Sequence, residues 1–138
     1  MDAVTAARNA EYSVYLDAHD SATPRARDVL ASKLAEWQMP ELVEDGSIIV
    51  AELVTNAAKL GEVFKLTLRN PKNGMLRIEV EDRSPDVPVR ADPLADLDND
   101  DCDVNGGRGL VLVEGLSDDW GCDLLLDGKV VWAVLTCR

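Results

Sequence analysis

The chain has 138 residues, with 14 Lys and Arg against 26 Asp and Glu, a formal net charge of -12. So acidic a balance argues against sequence-independent binding to DNA, RNA or anionic lipid, all of which need clustered basic side chains; no apolar run approaches the roughly 20 residues of a membrane span. The 46% apolar fraction can build one core at this length without disulfides or metal, and Cys102, Cys122, Cys137 and the single His19 have the spacing of neither a disulfide framework nor a zinc site.

The amino terminus lacks a basic segment followed by an apolar one, so a reduced, cytoplasmic, soluble protein is expected. After a loose start, residues 11–17 (EYSVYLD) read as a first strand. Ser21 or Thr23 then caps a helix whose first turn holds Pro24, where a missing N–H costs little. Ala26, Val29, Leu30, Leu34 and Trp37 repeat with a helical period, and Pro40 marks the end. A second helix runs from about Glu41 to Leu60. Val43, Ile49, Val50, Leu53, Val54, Ala57 and Leu60 cover much of its circumference, so it should be buried, with Gly61 closing it.

Strands at 63–69 and 75–82 follow, joined by the turn sequence NPKNG. From Arg83 to Asn105 three prolines break regular structure, and six aspartates lie between Asp92 and Asp103 with no Lys or Arg among them. That composition predicts a long, mobile loop. Residues 108–117 (RGLVLVEGLS) read as a helix, and DWGCDLLL, the turn Asp127-Gly128 and KVVWAVLTC read as a closing antiparallel hairpin. Hairpins separated by helices predict a two-layer α/β sandwich: a mixed or antiparallel sheet with helices on one face.

Three places carry chemistry-bearing residues. Glu52 and Asn56, four apart, share one face of the most apolar helix. They read either as a partly exposed polar stripe or as a site where the carboxylate acts on a proton and the amide oxygen holds a hard cation. Asp82 ends an apolar strand, where an acidic side chain either caps the next turn or accepts a hydrogen bond from an exocyclic amine such as adenine's. Gly106-Gly107-Arg108-Gly109-Leu110 joins the acidic loop to a helix. It is either a hinge or an anion cradle of backbone N–H groups at a helix start. It matches neither the dinucleotide fingerprint nor a Walker-type P-loop. His19 has no nucleophile elbow near it and reads as a surface residue, the cysteines as core or loop residues, and Trp37, Trp120 and Trp132 as core or interface bulk.

Taken in order, AELVTNAAKLG, EVEDRSPDVPVR and GGRGLVLVEGLSDDWG resemble the three nucleotide-binding boxes of the GHKL (Bergerat-fold) ATPase and kinase superfamily. Within it the chain looks like the small anti-sigma-factor serine-protein-kinase branch of actinobacteria. The resemblance spans about residues 10–137 and implies one ATP-binding domain over 1–138, with 1–9 a loose amino terminus and 85–106 the ATP lid. It implies Glu52 as general base, Asn56 as ligand of the Mg2+ that bridges the ATP phosphates, and Asp82 as acceptor of the adenine amino group. Ser84 stands where the wider superfamily often has Gly, and Gly107, Arg108, Gly109 and Leu110 fall at the phosphates. The implied partners are a sigma factor, which the protein sequesters, and an antagonist protein, which it phosphorylates; family members are often homodimers. Val130 stands where the last strand often offers a Thr near adenine, and residues 57–61 (AAKLG) replace a pattern that usually ends in His and a small residue. A non-catalytic partner-binding module on the same fold is the alternative reading.

Overall fold

A computed structural model describes residues 10–83 and 107–137, and of residues 107–109 it describes the backbone. The strands are β1 (Ala10–Leu16), β2 (Phe64–Asn70), β3 (Met75–Asp82), β4 (Asp119–Leu125) and β5 (Gly128–Thr136), and the helices α1 (Ala22–Glu36), α2 (Val43–Ala58) and α3 (Gly107–Leu116). All strand pairs are antiparallel, in the order β1-β2-β3-β5-β4. The chain is thus the expected α/β sandwich, and its sheet is wholly antiparallel. The expected loop at 83–105 and lid at 85–106 lie, from residue 84 on, outside the described residues.

Strand alternation divides the sheet into two faces. Leu66, Leu68, Leu76, Ile78, Val80, Val131, Ala133 and Leu135 point to the helical layer and are buried. Leu30 and Leu34 of α1 and Ile49, Val50, Leu53 and Val54 of α2 meet them in one apolar cluster. Gly46 lets the two helices approach closely, since a Cβ there would stand 3.1 Å from a Leu30 methyl. The opposite face is polar. Arg69 binds Glu79 at 3.0 Å and also pairs with Glu11, Arg77 binds Glu79 at 2.7 Å, and the Arg77 guanidinium lies 4.4 Å from the Trp132 ring centre. The hydrogen bond to Glu79 holds the Arg69 guanidinium still further above its usual range. Trp132 is therefore neither core nor bare surface: it lies over Gly121, where a Cβ would come within 2.6 Å of the ring.

The element ends show where local chemistry departs from pattern. Ser21 is the N-cap of α1, but its hydroxyl faces His19 Nδ1 at 3.4 Å and makes no cap hydrogen bond. The helix stops before Pro40: Gln38 adopts a left-handed φ of 62°, with Gln38 N–H donating to the Ala35 carbonyl and Met39 N–H to that of Leu34. That is a Schellman closure with Gln in the position glycine usually holds. Pro40–Leu42 form a short 3-10 turn, so the second helix begins at Val43, two residues after the expected Glu41, and ends at Ala58, two before Leu60. In the β2–β3 turn the buried Asn70 side chain, with its amide nitrogen turned toward the loop, donates to the carbonyls of Lys72 (2.6 Å) and Met75 (3.0 Å).

The last hairpin turns at Leu126-Asp127, and Gly128 is already the first residue of β5, paired with Leu125. This corrects the expected Asp127-Gly128 turn. Its physical cause is a close approach: a Cβ on Gly128 would stand 2.0 Å from the Asp82 carbonyl oxygen and 2.8 Å from the Arg83 Cα. Gly128→Ala must therefore push β5 from β3 at this end. We expect a loss of about 1–3 kcal/mol, the range for forced overpacking, measured by urea unfolding; a parent-like midpoint would show the strand end to be free to slide.

Candidate functional site

α2 packs against α1 and α3 and against β2, β3 and β5. Its apolar surface is consumed by these contacts, and Glu52 and Asn56 fall on a half-buried stripe between buried Ala51, Leu53, Val54 and Ala57. The Asn56 Oδ1 atom is buried and has no hydrogen-bond partner among the described residues. An orphaned buried carbonyl costs about 1–3 kcal/mol, so this oxygen needs an explanation beyond packing. A neutral, hard oxygen at a helix surface suits Mg2+, which is bound by few protein ligands plus phosphate oxygens. No group of three or more His, Cys, Asp or Glu side chains among the described residues is arranged to hold a metal ion, so the fit rests on the amide.

Asp82 is the last residue of β3 and is buried, 7% exposed. It has the same parity as Val80 and Ile78, so its carboxylate points to the helical side. There it meets Lys129, its register partner on β5, with Nζ 3.0 Å from Oδ1 and side-chain exposures of 10% for Lys129 and 5% for Asp82. Such a pair is held firmly, because removing one partner of a buried ion pair typically costs about 3–5 kcal/mol. The sequence reading missed Lys129 and singled out Val130 instead. Val130 is partnered with Glu81 and shares the outer face with Trp132, whereas Lys129 shares the inner face with Val131 and Ala133. A charged residue two positions before an inward Val was the available signal.

α3 begins at Gly107, and by helix geometry the amide N–H groups of its first turn, at Gly107, Arg108 and Gly109, lack intrahelical acceptors. Leu110 is 1% exposed and Val113 is fully buried, so these two side chains fix the helix to the core. What Leu110 has to offer a ligand is its backbone. Ser84 lies outside the described residues, as does the Arg108 side chain.

A cleft of about 540 Å3 also touches Asp82, lined by Tyr15, Lys65, Glu81, Arg83 and Asp127 among others. Tyr15, Lys65 and Glu81 are register partners on the outer face. No residue of α2, which carries Glu52 and Asn56, lines this cleft. Burial pushes the Cys122 thiol up, with Lys129 opposing and Asp123 and Asp82 adding to the effect; burial likewise pushes Cys137 up, helped by Glu41. Both thiols are poor nucleophiles at neutral pH. No helix among the described residues is long and apolar enough to cross a membrane.

The architecture is thus an antiparallel sheet with helices on one face, carrying a helix-borne Glu and Asn, a strand-end Asp, and a glycine-rich helix start. A family model for the histidine kinase-like ATPase domain matches residues 16–135. The chain belongs to that family, which is of the GHKL type. Among solved structures it is similar to the RsbU and RsbW domains of Rv1364c from Mycobacterium tuberculosis, with a TM-score of 0.64 and 19% identity over 94% of this chain. That likeness concerns the fold, and this chain spans about a third (33%) of the length of the solved one. Comparison with curated protein sequences gives no match.

Proposed function

We propose that the chain is an ATP- and Mg2+-dependent regulatory serine/threonine kinase that sequesters a sigma factor and phosphorylates an antagonist protein. The 138 residues are read as one such domain, with 85–106 as its lid. The observation that carries the proposal is the buried Asn56 Oδ1, which has no hydrogen-bond partner among the described residues, one helical turn beyond Glu52 in a chain of the ATPase family. The partners come from the resemblance of the three boxes to the anti-sigma-factor branch, and the fold's likeness to an RsbW-containing chain supports them.

In this reading Asp82 accepts a hydrogen bond from the adenine amine. The first-turn N–H groups of α3, with Arg108, receive the phosphates, where the helix dipole favours negative charge. Asn56 Oδ1 would hold Mg2+, which would supply charge neutralisation on the phosphates. Glu52 takes the proton of the antagonist's serine or threonine hydroxyl as its oxygen bonds to the γ-phosphorus, and the bond to the β-phosphate oxygen breaks to leave ADP. Such transfer requires positioning and electrostatics more than covalent help from the protein.

Two measurements test the nucleotide part. Mg-ATP at about a hundred times its dissociation constant should stabilise the fold by roughly 2.7 kcal/mol. Asp82→Asn should weaken binding by about 1–3 kcal/mol, the scale of a charge-assisted hydrogen bond; unchanged affinity by calorimetry would remove Asp82 from the site. One observation favours the alternative of a non-catalytic partner-binding module: the base acceptor is already engaged by Lys129. Absence of any thermal shift at millimolar Mg-ATP would decide for the module.

A further inference from the structure

We propose that the open edge of β4 is a docking site for an extended, basic segment of a partner protein, which joins the sheet as a further strand. The inference stands apart from the nucleotide reading and needs no bound ATP.

β4 is the last strand of the sheet, and among the described residues β5 is its only strand neighbour. Leu126 and Asp127 form a two-residue turn, which makes Leu125 and Gly128 a hydrogen-bonded pair. The alternation of an antiparallel ladder then turns the backbone groups of Asp123 and Gly121 toward β5 and those of Leu124, Cys122 and Trp120 outward. Trp120 agrees with this, since its N–H donates to the Asp119 carboxylate at 3.0 Å instead of to a strand. That bond closes one end of the edge. The N–H and C=O groups of Cys122 and Leu124 are left for an added strand, whose main chain supplies the matching donors and acceptors.

The side chains along the edge state what the segment carries. Leu124 is 61% exposed and Leu126 wholly exposed, so an apolar side chain of the added strand has surface to cover. Asp119 and Asp123 stand on the opposite face of β4, both exposed, and Asp127 follows in the turn. Residues 119–127 hold no Lys or Arg, and Asp123 and Asp127 make no ion pair among the described residues. Opposite charges directly across two strands attract and like charges repel. A segment that alternates Lys or Arg with apolar residues therefore fits, with its cations beside Asp123 and its apolar side chains beside Leu124. The other edge of the sheet differs: in β1 Glu11 is held by Arg69, and Lys33 lies over the Tyr12 ring.

A second copy of this chain is the competing occupant. It would bring the same aspartates to the edge, and a net charge of -12 on each molecule opposes the approach. Charged side chains commonly guard an edge strand against pairing with its own kind. A basic partner turns that guard into an attraction.

The test is NMR titration of the full chain with an end-blocked peptide of about eight residues alternating lysine and valine, long enough for one strand, and with its glutamate counterpart. The lysine peptide should give saturable shifts centred on the Cys122 and Leu124 amides, weakened by added salt, and the glutamate peptide none. Leu124→Pro deletes an outward N–H at an exposed edge position, where proline is tolerated. It should weaken the lysine peptide by about fivefold or more, the scale of one hydrogen bond. Asp123→Lys leaves every backbone group in place and should weaken the same peptide by about threefold or more, because a cross-strand attraction becomes a repulsion. No saturable shift at about 1 mM peptide, the weak end of binding, overturns the inference. Equal binding of the two peptides overturns it, as does parent affinity in Asp123→Lys or in a folded Leu124→Pro chain. Self-association in sedimentation that disappears in Leu124→Pro gives the edge to a second copy, and overturns it too.

Discussion

Glu52→Gln is expected to leave Mg-ATP affinity unchanged and to lower phosphorylation of the antagonist protein by about a hundredfold or more, the usual contribution of general base catalysis. The substitution keeps the size and shape of the side chain and one acceptor oxygen, and removes the charge and the ability to take up the hydroxyl proton. Glu52 sits half-buried on a helix whose neighbouring residues, Ala51 and Leu53, are locked in the core. Its Cα therefore cannot shift to compensate. Transfer of 32P from labelled ATP to the purified antagonist, with binding followed separately, gives the two numbers. Transfer at the parent rate would take the base role from this carboxylate, and a parent chain that holds its partner but never transfers phosphate would make the protein a binding module.

The hydrophobic period made α2 legible, because residues that repeat every three to four positions had one way to be buried; Ile49, Val50, Leu53, Val54 and Ala57 are all within 2% of full burial. The same period could not place the helix start, since Pro40–Leu42 form a 3-10 turn that runs directly into α2 at Val43. The strands were legible by alternation, yet their faces were not used to the full. Counting back by twos from Ala133 puts Lys129, not Val130, on the inner face, the face that Asp82 also shares. The closing turn was misplaced for a different reason. Asp-Gly is a strong local turn signal, but Gly128 is needed where β5 touches the backbone of Asp82, a long-range contact that no local pattern records. The ordered trio of boxes was legible as a family resemblance, whereas the partnerless state of Asn56 Oδ1 is a property of the packed structure.

That oxygen yields a prediction in which stability and function move in opposite directions. Asn56→Leu replaces the buried amide with an apolar group of similar branching, so the folded apo chain no longer carries an unsatisfied carbonyl. Stability without ligand should rise by about 1 kcal/mol, the lower end of the cost of such a group, as read from urea unfolding. Function should fail: with no oxygen at this point of α2, the increment that Mg2+ adds to ATP affinity should vanish, so that titrations with Mg2+ and with EDTA coincide. Asn56→Asp restores an oxygen and adds a charge, and should recover the metal dependence that Asn56→Leu loses. If Asn56 were instead a structural amide, Leu would destabilise the apo fold by leaving the donors and acceptors around it unpaired, and the Mg2+ increment would survive in whatever protein remained folded. The sign of the stability change, read together with the metal increment, therefore separates a side chain kept for its ligand from one kept for the fold.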